Sequence, residues 1–97
     1  MHVISRKALA EFCLKHPPAR TLLAAWHKAM EAAAFADFAA VRRSFRSADK
    51  VGQYVVFDVN RFRVITVIHF NRGRLYIRHV FTHSEYDRWS DKRRRGK

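Results

Sequence analysis

The segment Arg74-Leu75-Tyr76-Ile77-Arg78-His79-Val80-Phe81-Thr82-His83-Ser84-Glu85-Tyr86 brings three kinds of side chain into one short stretch. Arginine is a permanent, bidentate clamp for phosphate. Histidine and tyrosine can carry protons, histidine near neutral pH. Aromatic rings can hold unpaired bases by stacking. Together these suit RNA, whose 2′-hydroxyl lies beside the scissile phosphate and can itself be the nucleophile. A protein that cuts there has to orient the strand, stabilise the charge that develops at phosphorus and move two protons, none of which demands a metal. Basic, aromatic strands also occur in proteins that only bind RNA, so composition alone leaves a non-catalytic RNA-binding module open.

Other chemistries fit less well. The six histidines include no His-Glu-x-x-His spacing and no paired carboxylate. His79 and His83, on a strand, would stand about 13 Å apart, too far to share an ion. No metal site and no cofactor are expected. Cys13 falls on the apolar stripe of a helix, where a buried structural thiol is the ordinary outcome. Glycine occurs only at 52, 73 and 96, which leaves no phosphate-cradling loop. A single cysteine builds no disulfide framework and points to a reducing, cytoplasmic compartment. No apolar run approaches the roughly 20 residues of a membrane span, and Met1–Lys7 has no apolar segment behind its charges.

The elements that must position these residues follow from charge and periodicity. At 97 residues and 11.5 kDa, the chain fits one small domain. Its net charge of +12 is spread along the fold, with nine basic against four acidic residues in 1–50 and eleven against four in 51–97. A polyanion is the natural partner. Met1–Ile4 reads as an edge strand and Ser5 as an N-cap. Leu9, Phe12, Cys13 and His16 recur at helical spacing until Pro17-Pro18. Leu22, Leu23, Trp26, Met30 and Ala33 make the buried stripe of a second helix, and Asp37 caps a short third with Val41 inward and Arg42-Arg43 outward. Residues 47–52 read as a loop.

From Tyr54 the period changes to two. Strands are expected over 54–59, 61–70 and 74–82. With Arg72-Gly73 as a two-residue turn, Ile68 would face Ile77, Thr66 would face His79 and Val67 would face Arg78. One sheet face is then apolar, covered by two or three helices and directing His79 into them. The other collects Arg61, Arg63, His69, Arg74, Tyr76 and Arg78. A small α+β domain follows: an antiparallel sheet with helices on one face and a basic, aromatic binding face on the other. Arg42, Arg43, Arg46 and Lys50 form a further basic cluster suited to RNA. Arg63 has a second use in pairing with Asp58, and His83 in capping the segment Ser84–Trp89.

The strings MHVISRKALAEF, SADKVG and RFRVITVIHFNRGRLYIRHVFTHSEYD resemble, in consistent order from Met1 to about Trp89, the HigB-type toxins of bacterial toxin–antitoxin modules, within the RelE/ParE superfamily. The resemblance implies a small α+β, RelE-like toxin domain over 1–90 with a basic, flexible tail at 91–97. It implies metal-independent cleavage of mRNA on the translating ribosome, and neutralisation by a helix-turn-helix antitoxin of HigA type. The positions that match the catalytic set are Arg63, Arg78, His83 and Tyr86. Arg61, His69, Arg74, Tyr76, Arg42, Arg43 and Lys50 are the expected RNA contacts. ParE-like relatives, which poison gyrase instead, share the fold. One departure stands out: at Asp58-Val59-Asn60-Arg61-Phe62-Arg63 the chain is about two residues shorter than the family pattern, so a tight hairpin is expected there.

Overall fold

Apolar residues at helical spacing in the first half and at alternate positions in the second build two layers, which the computed structural model describes over residues 1–95, with side chains through Arg93. The elements are β1 (His2–Ile4), α1 (Lys7–Lys15), α2 (Ala19–Ala32), α3 (Phe38–Ser44), β2 (Asp49–Val51), β3 (Tyr54–Val59), β4 (Phe62–His69), β5 (Arg74–Thr82) and α4 (His83–Arg95). The sheet order is β1-β5-β4-β3-β2, antiparallel throughout except that β1 runs parallel to β5 at the edge.

Helices α1–α3 cover one face. Phe12, Leu23, Trp26, Met30 and Val41 are buried against Val55, Phe57, Val64, Leu75 and Ile77. Trp26 and Phe45 each meet the ring of Phe57 edge-on, at 5.4 and 5.5 Å between centroids. Phe57 is the aromatic centre of this layer, and truncating such a residue to alanine costs about 3–5 kcal/mol. Pro17-Pro18 separates α1 from α2 as the sequence requires. The Asp37 carboxylate accepts from the Ala40 amide at 2.9 Å, the expected cap of α3.

Six details differ from the sequence reading. Ser5 does not cap α1 through its hydroxyl: its φ of 73° makes it the left-handed corner between β1 and α1, and Arg6 occupies the cap position. The loop read over 47–52 contains β2, three residues paired to β3 around the turn Gly52-Gln53, with Gly52 at φ 60°. The β4–β5 connection is not a two-residue turn, because Phe70–Arg72 winds one 3-10 turn that ends on left-handed Gly73. The register moves accordingly: His69 opposes Arg74, Ile68 opposes Leu75, and Thr66 opposes Ile77.

A bulge then follows. Thr66 pairs with Ile77 but Ile65 pairs with His79, which leaves Arg78 as the extra residue of β5. A bulge advances the side-chain alternation by one position. His79 and Phe81 therefore share the face away from α1–α3, their rings stacked at 5.1 Å, and His79 is not the helix-facing core residue expected. The fifth difference is that this face is not wholly open. Val51, Val56 and Ile65 form a second apolar cluster on it, roofed by Tyr54, Phe81, Tyr86 and Trp89. The expected tail at 91–97 is helical as far as Arg95, with the Arg93 guanidinium over the rings of Tyr54 and Trp89 at 5.0 and 5.2 Å. Residues 96–97 lie outside the described ones.

Candidate active site

Two local devices set the site. The first is the hairpin between β3 and β4. Val59 pairs with Phe62, so only Asn60 and Arg61 turn the chain, the tight connection expected of the shortened sequence. Asn60 takes φ 59°, a conformation asparagine tolerates better than most residues. The second is the junction of β5 and α4, which has no loop. Thr82 Oγ1 accepts from the Glu85 amide at 3.3 Å, and Glu85 Oε1 accepts from the Thr82 amide at 2.8 Å. This reciprocal pair is a capping box. It places His83 at the first helical position, level with the hairpin because Thr82 pairs with Phe62.

Arg63 joins the two devices. Its Nη1 donates to Asp58 Oδ1 at 2.9 Å and to the carbonyls of Asn60 and Phe62, both at 3.1 Å. Its Nη2 donates to His83 Nδ1 at 3.0 Å. The guanidinium also lies 5.9 Å from the centre of the Tyr86 ring. The pairing with Asp58 weighed for Arg63 is present, and the same guanidinium also faces His83. Its side chain is only 15% exposed, so the fork is held in place by its neighbours.

This geometry decides the tautomer of His83. A guanidinium can only donate, so Nδ1 must carry the lone pair and the proton must sit on Nε2. The Asp87 carboxylate lies 3.5 Å from that Nε2, one helical turn on. Asp87 therefore stands behind the imidazole as an acceptor. An imidazole whose Nδ1 lone pair is directed at an arginine, with a carboxylate near its Nε2, can take up a proton once the arginine Nη2 hydrogen is drawn to another acceptor.

The remaining expected residues divide. Arg63, His83 and Tyr86 come together. Arg78 does not join them: five residues earlier on β5, it is about 16 Å away along the strand, and its guanidinium covers the Tyr76 ring at 5.6 Å. His69 meets the other side of this group, 5.2 Å from Tyr76. His69, Tyr76 and Arg78 thus form a second cluster, and Arg74, exposed, begins the same strand opposite His69. Arg61 is exposed in the hairpin turn beside His83. Arg42, Arg43 and Lys50 are exposed on α3 and β2, with no ion pair or hydrogen bond to either cluster.

Between the clusters lies His79, whose pKa is held below its ordinary 6.5 first by burial and then by the charges of Arg93 and Arg78. Among the described residues no group of three histidine, cysteine or carboxylate side chains could hold a metal ion, and no helix is long and apolar enough to cross a membrane.

Two residues of the site escaped the sequence reading. Asp87 was visible as the carboxylate four positions after His83, had the helix start been recognised from Thr-x-x-Glu at 82–85. His16 had no sequence signal. It ends α1, stacks on Phe12 at 4.5 Å between ring centres, and lines a cleft of about 790 Å³ together with Asn60, Arg61, Phe62 and His83.

Comparison with known proteins identifies the family. The family model described as HigB toxin, the RelE-like toxic component of a toxin–antitoxin system, matches residues 19–89. The mRNA interferase toxin HigB of Escherichia coli strain K12 is 34% identical over 92 residues, covering 90% of this chain and 88% of that protein, and the mRNA interferase HigB of Shigella flexneri matches equally. The mRNA interferase HigB of Escherichia coli O6:H1 is 29% identical over 93 residues, covering 91% and 90%. With a family model matched over 19–89 and this extent of shared sequence, the chain belongs to the HigB family of RelE-like toxins.

Proposed function

We propose that this toxin is an mRNA interferase, an endoribonuclease that cuts message in the cytoplasm on the translating ribosome, without a metal, and that a helix-turn-helix antitoxin of HigA type neutralises it. The contact of Arg63 with His83 Nδ1 is the observation that carries the catalytic part.

In this mechanism the scissile phosphate competes for the Arg63 Nη2 hydrogens. As the guanidinium turns to a non-bridging oxygen, the lone pair on His83 Nδ1 is released beside the bound strand. His83 then takes the proton of the 2′-hydroxyl as its oxygen attacks phosphorus. Asp87 steadies the imidazolium through Nε2, and Arg63 holds the added charge on the phosphoryl oxygens. The bond from phosphorus to the 5′-oxygen breaks, and that oxygen receives a proton from the Tyr86 hydroxyl. The products are a 2′,3′-cyclic phosphate and a 5′-hydroxyl, and exchange with solvent returns both side chains to their starting state. Charge stabilisation at one such donor is commonly worth about 10² to 10³ in rate.

The +12 charge supports an RNA partner. It also favours an antitoxin that presents acidic surface, since charge complementarity speeds encounter. The test is cleavage of a translated message in a purified translation system by the wild type and by His83→Ala. Cutting by the wild type, and none by His83→Ala, is expected. Cutting that persists in a folded His83→Ala variant would overturn the mechanism, and bound but intact message would favour a non-catalytic binder.

A further inference from the structure

The cleft beside His83 is larger than the chemistry of one phosphate requires. Its lining combines the apolar Leu22 and Phe62 with the polar His16, Asn60, Arg61 and His83. A flat ring with polar edges matches that lining: apolar and aromatic walls for its faces, and an imidazole, an amide and a guanidinium for its edge. His16 is well fixed for such a task. It is the residue at which α1 stops before two prolines, and its ring lies on Phe12 at 4.5 Å, with Phe62 6.4 Å away. Arg61 forms no ion pair among the described residues, so its guanidinium is available to a ligand.

The route of the strand makes the same point independently. Arg78 lines a second, smaller cleft of about 280 Å³ between α1 and the edge of β5 beyond its pairing with β1. His16 is the residue common to the walls of both clefts. An RNA strand gripped by Arg78 and cut beside His83 therefore passes His16. The two separated clusters become two stations of one path, with a ring-sized cleft between the α1–α2 turn and the β3–β4 hairpin at the cutting end.

Building on the RNA-cleavage reading above, we infer that this cleft receives one nucleobase flanking the scissile bond, and that His16 and Arg61 read its edge. The base at one fixed position relative to the cut is then selected by this pocket. His83 and Arg63 cut whatever linkage the pocket presents.

The experiment maps the 5′ ends generated in total mRNA by the wild type, His16→Ala, Leu22→Trp and Arg61→Ala. Leu22→Trp fills the cleft. Arg61→Ala lies in an exposed turn and keeps the fold intact even if a buried change does not. A good edge contact discriminates bases by about tenfold, so among the cuts that His16→Ala and Arg61→Ala still make, the base preference at one position should relax by about that factor, even where weaker RNA binding lowers the overall yield. Leu22→Trp should change or abolish the preference at the same position. Wild-type preference retained in folded His16→Ala and Arg61→Ala variants would overturn the pocket and leave the cleavage reading standing. A wild type that cuts no message would sink the cleavage reading, and the pocket with it.

Discussion

Two regions of the β4–β5 ribbon carry similar residues to different effect. At one end Arg63 makes four hydrogen bonds, three to the hairpin and Asp58 and one to His83, and its side chain is mostly buried. In the middle of β5, Arg78 is exposed on a bulge, resting on Tyr76 next to His69 with no hydrogen bond to hold it among the described residues. Proton transfer needs atoms fixed within hydrogen-bond reach, whereas a phosphate can be attracted by a cation with freedom to move. The first region is built for chemistry and the second for grip.

The largest effect expected of any single change falls on the fixed end. His83→Ala should lower cleavage at least 10²-fold with little change in RNA affinity, measured by single-turnover cutting and by binding. Arg63→Lys keeps the charge but loses the fork. It should lose nearly as much, and cutting at the wild-type rate would make the contact with His83 incidental. Arg78→Ala should do the reverse. We expect about tenfold weaker RNA binding and a salt dependence shallower by about 0.7 log units per log salt, the loss of one phosphate contact on a single strand, with the cutting step itself nearly unchanged at saturating RNA.

Smaller effects separate structure from chemistry. Thr82→Ala removes half of the capping box and should cost about 1 kcal/mol of stability, read as a drop of several degrees in Tm. Cutting should fall more than stability does, because the cap also aims His83. The smallest effect is expected at His79, between the two regions. Its pKa is lowered in the fold, so the unfolded chain binds more protons as pH falls below about 6.5. Stability should therefore be full above that pH and decline on acidification, and His79→Gln should flatten the decline. A pH profile identical in wild type and variant would remove His79 from the linkage.

Long, regular patterns were legible in the sequence and short irregular ones were not. Helices α1 and α2 announce themselves through Leu9, Phe12, Leu23, Trp26 and Met30, and strands β3 to β5 through unbroken alternation. β2 was hidden because Asp49-Lys50-Val51 offers one apolar residue and takes its pairing from β3. The register was lost at two places that periodicity cannot see, the 3-10 turn at 70–72 and the bulge at Arg78. The bulge reversed the side on which His79 lies. Of α4 only the capped segment Ser84–Trp89 was read, with a flexible tail after it, because its charges outnumber its apolar anchors, Tyr86 and Trp89, although Thr82 and Glu85 mark where it starts.

The site was legible in the same uneven way. Arg63, His83 and Tyr86 were named from residue type and family pattern, and they meet. Arg78 was named with them and stands at the bulge in the middle of β5. What separates these outcomes is the strand itself, which carries five residues about 16 Å, whereas the hairpin and the capped junction fold Arg63 and His83 back to 3.0 Å.

The central claim is that Arg63 and His83 act as one unit. A double-mutant cycle on the single-turnover cutting rate, with Arg63→Lys, His83→Ala and the combined variant, tests it most directly. The combined variant should cut no more slowly than the worse single variant, since either change disables the same step. Losses that multiply in the combined variant would show two residues working independently, and would contradict the account.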